Sequence, residues 1–291
     1  MTVSYSTFQA MLKMNILDEE LHKEIQGILN EPENDRESRP GAKLAQDKFN
    51  RVTKKVRELS KRGEDTGLQD GKPKKGSSRA VFFPSEHKEI TVDGKTAKHP
   101  TVVKVAFHGT LDPHTGDSRL LGEHQNEVEA DNYHQREHST LIPNHDGSYT
   151  HNPHGILAPV LDHHPDHHWI EMSHVDNMSG SKFTQLTKTP EHPKGLKHAE
   201  FKRALENDWD AAHGRHSGED GLDHVRSHPF YEAVQDHMYS SDMQPHDLDL
   251  RNMGSWKHPV TGKEQPVIRD YGFNKNIAKL YTQARKNKYK W

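Results

Sequence analysis

A chain of 291 residues with 40 Lys and Arg against 43 Asp and Glu, for a formal charge of −3, has no overall electrostatic footprint for nucleic acid or an anionic membrane. It contains no cysteine, which excludes disulfides, thiolate metal sites and a cysteine nucleophile. Hydrophobic residues make up only 30%, so the sequence predicts a lean core with long polar loops, and no stretch of about 18 apolar residues offers a membrane span.

At the N-terminus, Ser6 with Gln9 three residues on resembles a capping box. Asp18 then precedes Leu21, Ile25, Ile28 and Leu29 at helical spacing. The segment has no charged start followed by an apolar core, so a non-secreted, soluble chain is expected. Residues 30–41 are polar and proline-bearing and read as a linker. Phe49, Val52, Val56 and Leu59 then repeat at three and four residues, a basic amphipathic helix whose stripe suits core packing or a protein partner. These features set an N-terminal helical extension over residues 1–63.

From Gly63 to Arg79 glycine, lysine and serine dominate, and strand-like residues follow. Strands are expected at Ala80–Phe83, Ile90–Val92 and Val102–Phe107, with Asp93-Gly94 as a tight turn. A helix over Ser118–Tyr133 comes next, then strand-like runs at Gly155–Val160 and Trp169–Met172. Phe201, Ala204, Leu205 and Trp209 mark one further helix and Phe230–Tyr239 another. A turn at Pro259–Gly262 joins two short extended segments, and Val267-Ile268 leads into Asp270. The chain ends in a basic stretch, Lys275–Trp291, without Asp or Glu, which suits an anionic partner or a solvated helix.

Two short motifs carry chemistry. Asp247-Leu-Asp-Leu-Arg-Asn252 is followed by Asp270-Tyr-Gly272, in the order and spacing of a catalytic loop D-L-x-x-x-N and a metal loop D-F-G. Lys104 lies in Val102-Val103-Lys104-Val105-Ala106-Phe107, where alternation sets it on one strand face with Val102 and Ala106. Magnesium needs hard oxygen ligands, and phosphoryl transfer needs a carboxylate near the acceptor hydroxyl.

Over Gly67–Phe273 the chain thus resembles the protein-kinase-like superfamily, in a compact atypical form similar to such proteins encoded by tailed bacteriophages. The resemblance implies an α+β, bilobal fold: a sheet-rich nucleotide-binding lobe over residues 64–172 and a reduced helical lobe over 173–291. It implies ATP and Mg²⁺ as cofactors, with Asp247, Lys104 and a helix glutamate as catalytic residues. Glu127 is favoured as that glutamate, ahead of Glu129. Asn252 and Asp270 would hold the metal. Lys74, Lys75, Gly76, Ser77 and Ser78 would grip phosphates with Lys104, and Glu171 and Met172 would meet the base. The γ-phosphate would pass to a hydroxyl on an unknown protein or small-molecule acceptor, in the cytoplasm of a host or within a virion.

The chain also departs from the family pattern. Gly71–Arg79 is not G-x-G-x-x-G. It differs from a Walker A loop as well, since Ser77 replaces the lysine and a strand follows. Pro245 stands where the catalytic-loop histidine belongs and Asp249 where kinases often have lysine. Only 19 residues follow Gly272, too few for an A-P-E segment. An inactive kinase-like binding or structural protein is therefore the alternative. A third class follows from the 25 histidines, four of which crowd into His163–His168; imidazoles beside Asp162 and Asp166 suit zinc, nickel or copper, or else form a polar loop.

Overall fold

The structure is a computed structural model that describes residues 74–75, 79–106 and 121–279, apart from positions 85, 135–136, 166, 168, 216–219, 273 and 275. The expected N-terminal helices, the residues Gly76–Ser78 and the basic stretch beyond residue 279 lie outside the described residues. What is described is a mixed α+β protein with several small sheets.

The largest sheet has five antiparallel strands in the order β1-β2-β5-β9-β8: β1 Lys74–Lys75, β2 Arg79–Phe82, β5 Thr101–Ala106, β9 Trp169–Ser173 and β8 Val160–His163. Helix α1, Leu121–His134, packs on β5, β8 and β9. Val103, Val105, Ile170 and Met172 are buried in this sheet. That double-sided burial explains the apolar runs in β5 and β9, because a strand covered on both faces has no solvent side to mark with polar residues.

Between β2 and β5 the chain forms a hairpin, β3 Lys88–Val92 and β4 Lys95–His99. Its turn, Asp93-Gly94, has positive φ at both positions, 50° and 73°, as a type I′ turn demands and as Asp-Gly favours. This hairpin joins β6 Leu141–Pro143 and β7 Tyr149–His151 in a four-stranded sheet of order β4-β3-β7-β6. The expected strand at Gly155–Val160 is instead a buried irregular segment until β8 begins. The Ile156 and Leu157 amides donate to the His138 carbonyl, the Ala158 amide donates to the Ile268 carbonyl, and the Ile268 amide donates to the Ile156 carbonyl. The segment is extended because it is pinned to two neighbours at once, without continuous pairing to either.

The second half contributes α2 Gly180–Leu186, α3 His198–Ala212, α4 Asp223–Arg226 and α5 Pro229–Ser241. Helix α3 buries Phe201, Ala204 and Leu205 at the expected helical spacing. Helix α5 starts with Pro229 at its first turn and the His228 side chain accepting from the Phe230 amide; it stops at Asp242 in the left-handed region. Two 3₁₀ turns, Pro245–Asp247 and Leu250–Asn252, then lead into β11 Met253–Lys257 and β12 Glu264–Ile268; β11 is the central strand of a three-stranded sheet, between β10 Asp176–Asn177 and β12. One hydrophobic cluster runs from Ile90 and Tyr133 through Ile156–Ala158 to Phe201, Trp256 and Tyr271, so both halves share a core. Among the described residues no helix is long and apolar enough to cross a membrane.

Candidate functional site

The strand register builds the site from its sheet side. Lys104 on β5 lies opposite Val81 on β2 and Ile170 on β9, and residues paired across antiparallel strands share a face. Lys104, Val81, Val102, Ile170 and Met172 therefore look one way, and all of them but Ile170 line a cleft of about 470 Å³. The far side of the cleft carries Val175, Asp176 and Asn177, with Arg251, Arg269 and Asp270 at its polar end.

Glu171 belongs to the opposite face. Its side chain pairs with Lys88 at 2.5 Å because strand alternation turns it away from its neighbour Met172. Of the two residues expected to meet the base, Met172 lines the cleft with its side chain, and Glu171 directs its carboxylate to the other face. Lys74 and Lys75 form β1 and pair with Val81 and Ala80, which makes the lysine-rich segment the first arm of a hairpin leading into β2.

At the polar end Lys104 Nζ donates to both oxygens of Glu129, at 2.9 and 3.0 Å, and to the Arg269 carbonyl at 2.8 Å. It lies 3.7 Å from Asp270 Oδ1. The partner is thus Glu129, and the first choice, Glu127, is corrected: Glu127 is half-buried and sits 3.6 Å from His124 on its own helix. The reason is angular. Asn126, Glu129, Ala130 and Tyr133 are all wholly buried and share one arc of α1, from which Glu127 points roughly 110° away at 3.6 residues per turn.

Arg79, which the sequence motifs did not single out, completes the cluster. Its guanidinium grips Glu129 with two bonds of 2.8 and 3.0 Å, reaches Asn126 Oδ1 at 3.1 Å and meets Asp270 Oδ1 at 2.5 Å. Period-two alternation puts Arg79 on the face of Val81, hence of Lys104, although in sequence it closes the preceding basic loop. Two cations and two carboxylates so close together leave this four-residue cluster near neutral. Burial would raise the Asp270 carboxyl, yet Lys104 and then Arg79 outweigh it and hold the group well below the ordinary carboxylate range.

Gly272 lets the Asp270 loop come this near α1. A Cβ there would lie 2.5 Å from the Gln125 carbonyl, while the Gly272 amide donates to Glu129 at 3.2 Å. Its role is close approach of two backbones, a need only glycine meets.

Asp247 and Asn252 join from the 3₁₀ turns. The Arg269 amide donates to the Asn252 carbonyl, which ties this loop to the residue before Asp270. Asn252 Nδ2 donates to the Asp247 carbonyl at 2.8 Å, so its amide oxygen is the atom left for a cation. Asp247 has one buried carboxylate oxygen without a hydrogen bond. Burial pushes this carboxyl up to about 6, with the charges of Asp270 and Asp249 adding to the rise and His246 opposing it. Asp249, at the position expected to carry a lysine, is held by Lys202 of α3 and by Arg251 at 3.1 Å.

The histidine-rich segment forms the β8–β9 turn, closed by bonds from His164 to Trp169 and from His167 to His164. The group of potential metal ligands among the described residues lies elsewhere, at Asp93, His151 and His258, whose ligand atoms fall within 4.8 Å of one another. His151 Nε2 bonds Gln265 Oε1 at 2.9 Å. His258 Nδ1, however, accepts from the amides of Val260 and Thr261, which leaves the ring proton on Nε2, the nitrogen 3.8 Å from Asp93. A cation at Nε2 would have to displace that proton or turn the ring over.

No protein-family model matches this chain, and no curated protein sequence does.

Proposed function

We propose that the chain is a kinase-like phosphotransferase that binds ATP with Mg²⁺ in this cleft and passes the γ-phosphate to an acceptor hydroxyl beside Asp247. The observation that carries the reading is the meeting of Lys104, Glu129 and Asp270 with the loop of Asp247 and Asn252, groups drawn from positions up to 166 residues apart. An antiparallel five-stranded sheet with one packed helix, followed by helices and the two motif loops, supports a kinase-like arrangement of two lobes.

The apolar lining of Val81, Val102, Met172 and Val175 suits a flat base. Lys104 would meet the phosphates. The Asn252 amide oxygen and the Asp270 carboxylate are the hard donors magnesium takes, and the metal would offset charge on the phosphates. Asp247 would accept the acceptor proton as the new O–P bond forms and the bond to the nucleoside diphosphate breaks. A carboxyl lifted to about 6 is a better base near neutral pH than an ordinary aspartate.

A second reading, a kinase-like binding or virion protein without turnover, is favoured by one observation: Asp270 is already neutralised by Arg79 and Lys104. Melting of the protein with ATP, with and without Mg²⁺, tests nucleotide binding, because a ligand of the folded state raises stability by mass action. Transfer of radiolabel from γ-labelled ATP then separates the two readings. An unchanged melting temperature with millimolar Mg-ATP would overturn the phosphotransferase reading.

A further inference from the structure

The cluster at the end of the cleft holds a residue that the kinase-like reading does not need. Glu129 is wholly buried, and a buried carboxylate stripped of its partner is strongly destabilising. If Lys104 were its sole cation, drawing Lys104 toward a phosphate would strand Glu129. Here Arg79 holds Glu129 through a two-bond fork, 2.8 and 3.0 Å, independently of Lys104. The planar guanidinium matches a carboxylate in a way an ammonium does not.

The same guanidinium also fixes Asp270. Its second terminal nitrogen lies 2.5 Å from Oδ1, whereas Lys104 is 3.7 Å away. Arg79 is 5% exposed, so it cannot swing into solvent without vacating the core. The Asp270 side chain keeps 47% of its surface open. One oxygen is therefore anchored inward, and the other, Oδ2, is the oxygen offered to a cation in the cleft.

We propose that Arg79 is a positioning residue of this site: it latches helix α1 to the sheet through Glu129, freeing Lys104 for phosphate, and it aims Asp270 at the metal. The proposal rests on the nucleotide-site reading for its metal half only; the latch is a property of the ligand-free chain.

The test compares R79M, R79K and K104M in the full chain. Without ligand, R79M lowers the melting temperature more than K104M does, because Lys104 alone cannot replace the fork. Equal losses, or a larger loss in K104M, would overturn the latch. Binding of a fluorescent ATP analogue is then measured with and without Mg²⁺. R79K keeps a cation beside Glu129, so Lys104 is still spared and metal-free affinity stays within threefold of wild type; having lost the nitrogen that reaches Asp270, it loses at least tenfold of the magnesium-dependent gain. K104M weakens metal-free binding as well. A purely structural role would scale both affinities together. R79K with the full magnesium gain would overturn the aiming role, and this variant remains informative if R79M does not fold. If wild type shows no magnesium-dependent binding, the phosphotransferase reading and the metal half fall together, and the melting comparison still decides the latch.

Discussion

Among the described residues two arginines, Arg79 and Arg226, each bridge two carboxylates through bonds of 3.2 Å or less, and they do different things. Arg226 binds Asp208 through Nε and a terminal nitrogen, at 2.9 and 2.7 Å, and binds Asp220 at 2.8 and 2.7 Å. Tyr231 and Gln235 of α5 also donate to Asp208, and Asn207 donates to Asp220. All of these partners lie between residues 207 and 235, and none lines the cleft. Arg79 joins groups as far off as Asp270, 191 positions away, and one of its carboxylates faces the cleft. The first network staples helices α3, α4 and α5, with every acceptor saturated by protein. In the second, a lysine shares Glu129 with the arginine without reproducing its fork, so the lysine is the cation that a ligand could draw away.

Breaking the cleft network costs function most. Asp270→Ala abolishes the melting shift induced by Mg-ATP, and Lys104→Met lowers phosphotransfer by about 10² to 10³, the loss typical of a missing electrostatic donor; wild-type transfer by either variant, in a radiolabel assay, would sink the assignment. The next largest effect is of pH. Burial lowers His99 to about 4 and His237 to about 3, so both stay neutral in the folded chain while the unfolded chain takes up protons near pH 6.5. Stability is therefore full above about pH 6.5 and falls as pH drops toward 4, by at most roughly 3 kcal/mol for His99 alone. Melting curves between pH 7 and 4 check this. His237→Leu, which removes a ring nitrogen without a partner behind Tyr271, flattens the profile.

Arg226→Met sharpens the contrast from the other side. It costs roughly 2 kcal/mol in urea melts, less than the 3–5 of a fully buried pair because the arginine side chain is 28% exposed. It leaves Mg-ATP affinity unchanged. The smallest expected effect is at Asp93, His151 and His258: stoichiometric Zn²⁺ moves the melting temperature by less than 1 °C on the scale where about 1 kcal/mol shifts it by several degrees, since the His258 tautomer opposes a cation. A zinc-dependent rise of several degrees would refute that tautomer argument.

Much of the sheet half was legible because its signals are local. Alternation placed β2, β5 and β9 within a residue or two, and Asp93-Gly94 announced its turn. Helices α3 and α5 followed from apolar spacing. The segment at Gly155–Val160 misled because an apolar extended run reads the same whether it pairs along a strand or is pinned at isolated points. Lys104, Asp247, Asn252 and Asp270 were legible as motifs. Glu129 was confused with Glu127 because two glutamates two positions apart look alike until a neighbour chooses a face.

By itself the sequence determined which chemistry is available: no thiols, a strand-borne lysine, two acidic loop motifs and the periodicities that make strands and helices. These are properties of residue type and short-range spacing, and they survive without knowledge of distance. Only the tertiary structure decided who pairs with whom. Ion pairing falls off within a few ångströms and depends on burial, so Arg79, Glu129 and Asp270 became one cluster only when β2, α1 and the loop after β12 were packed together.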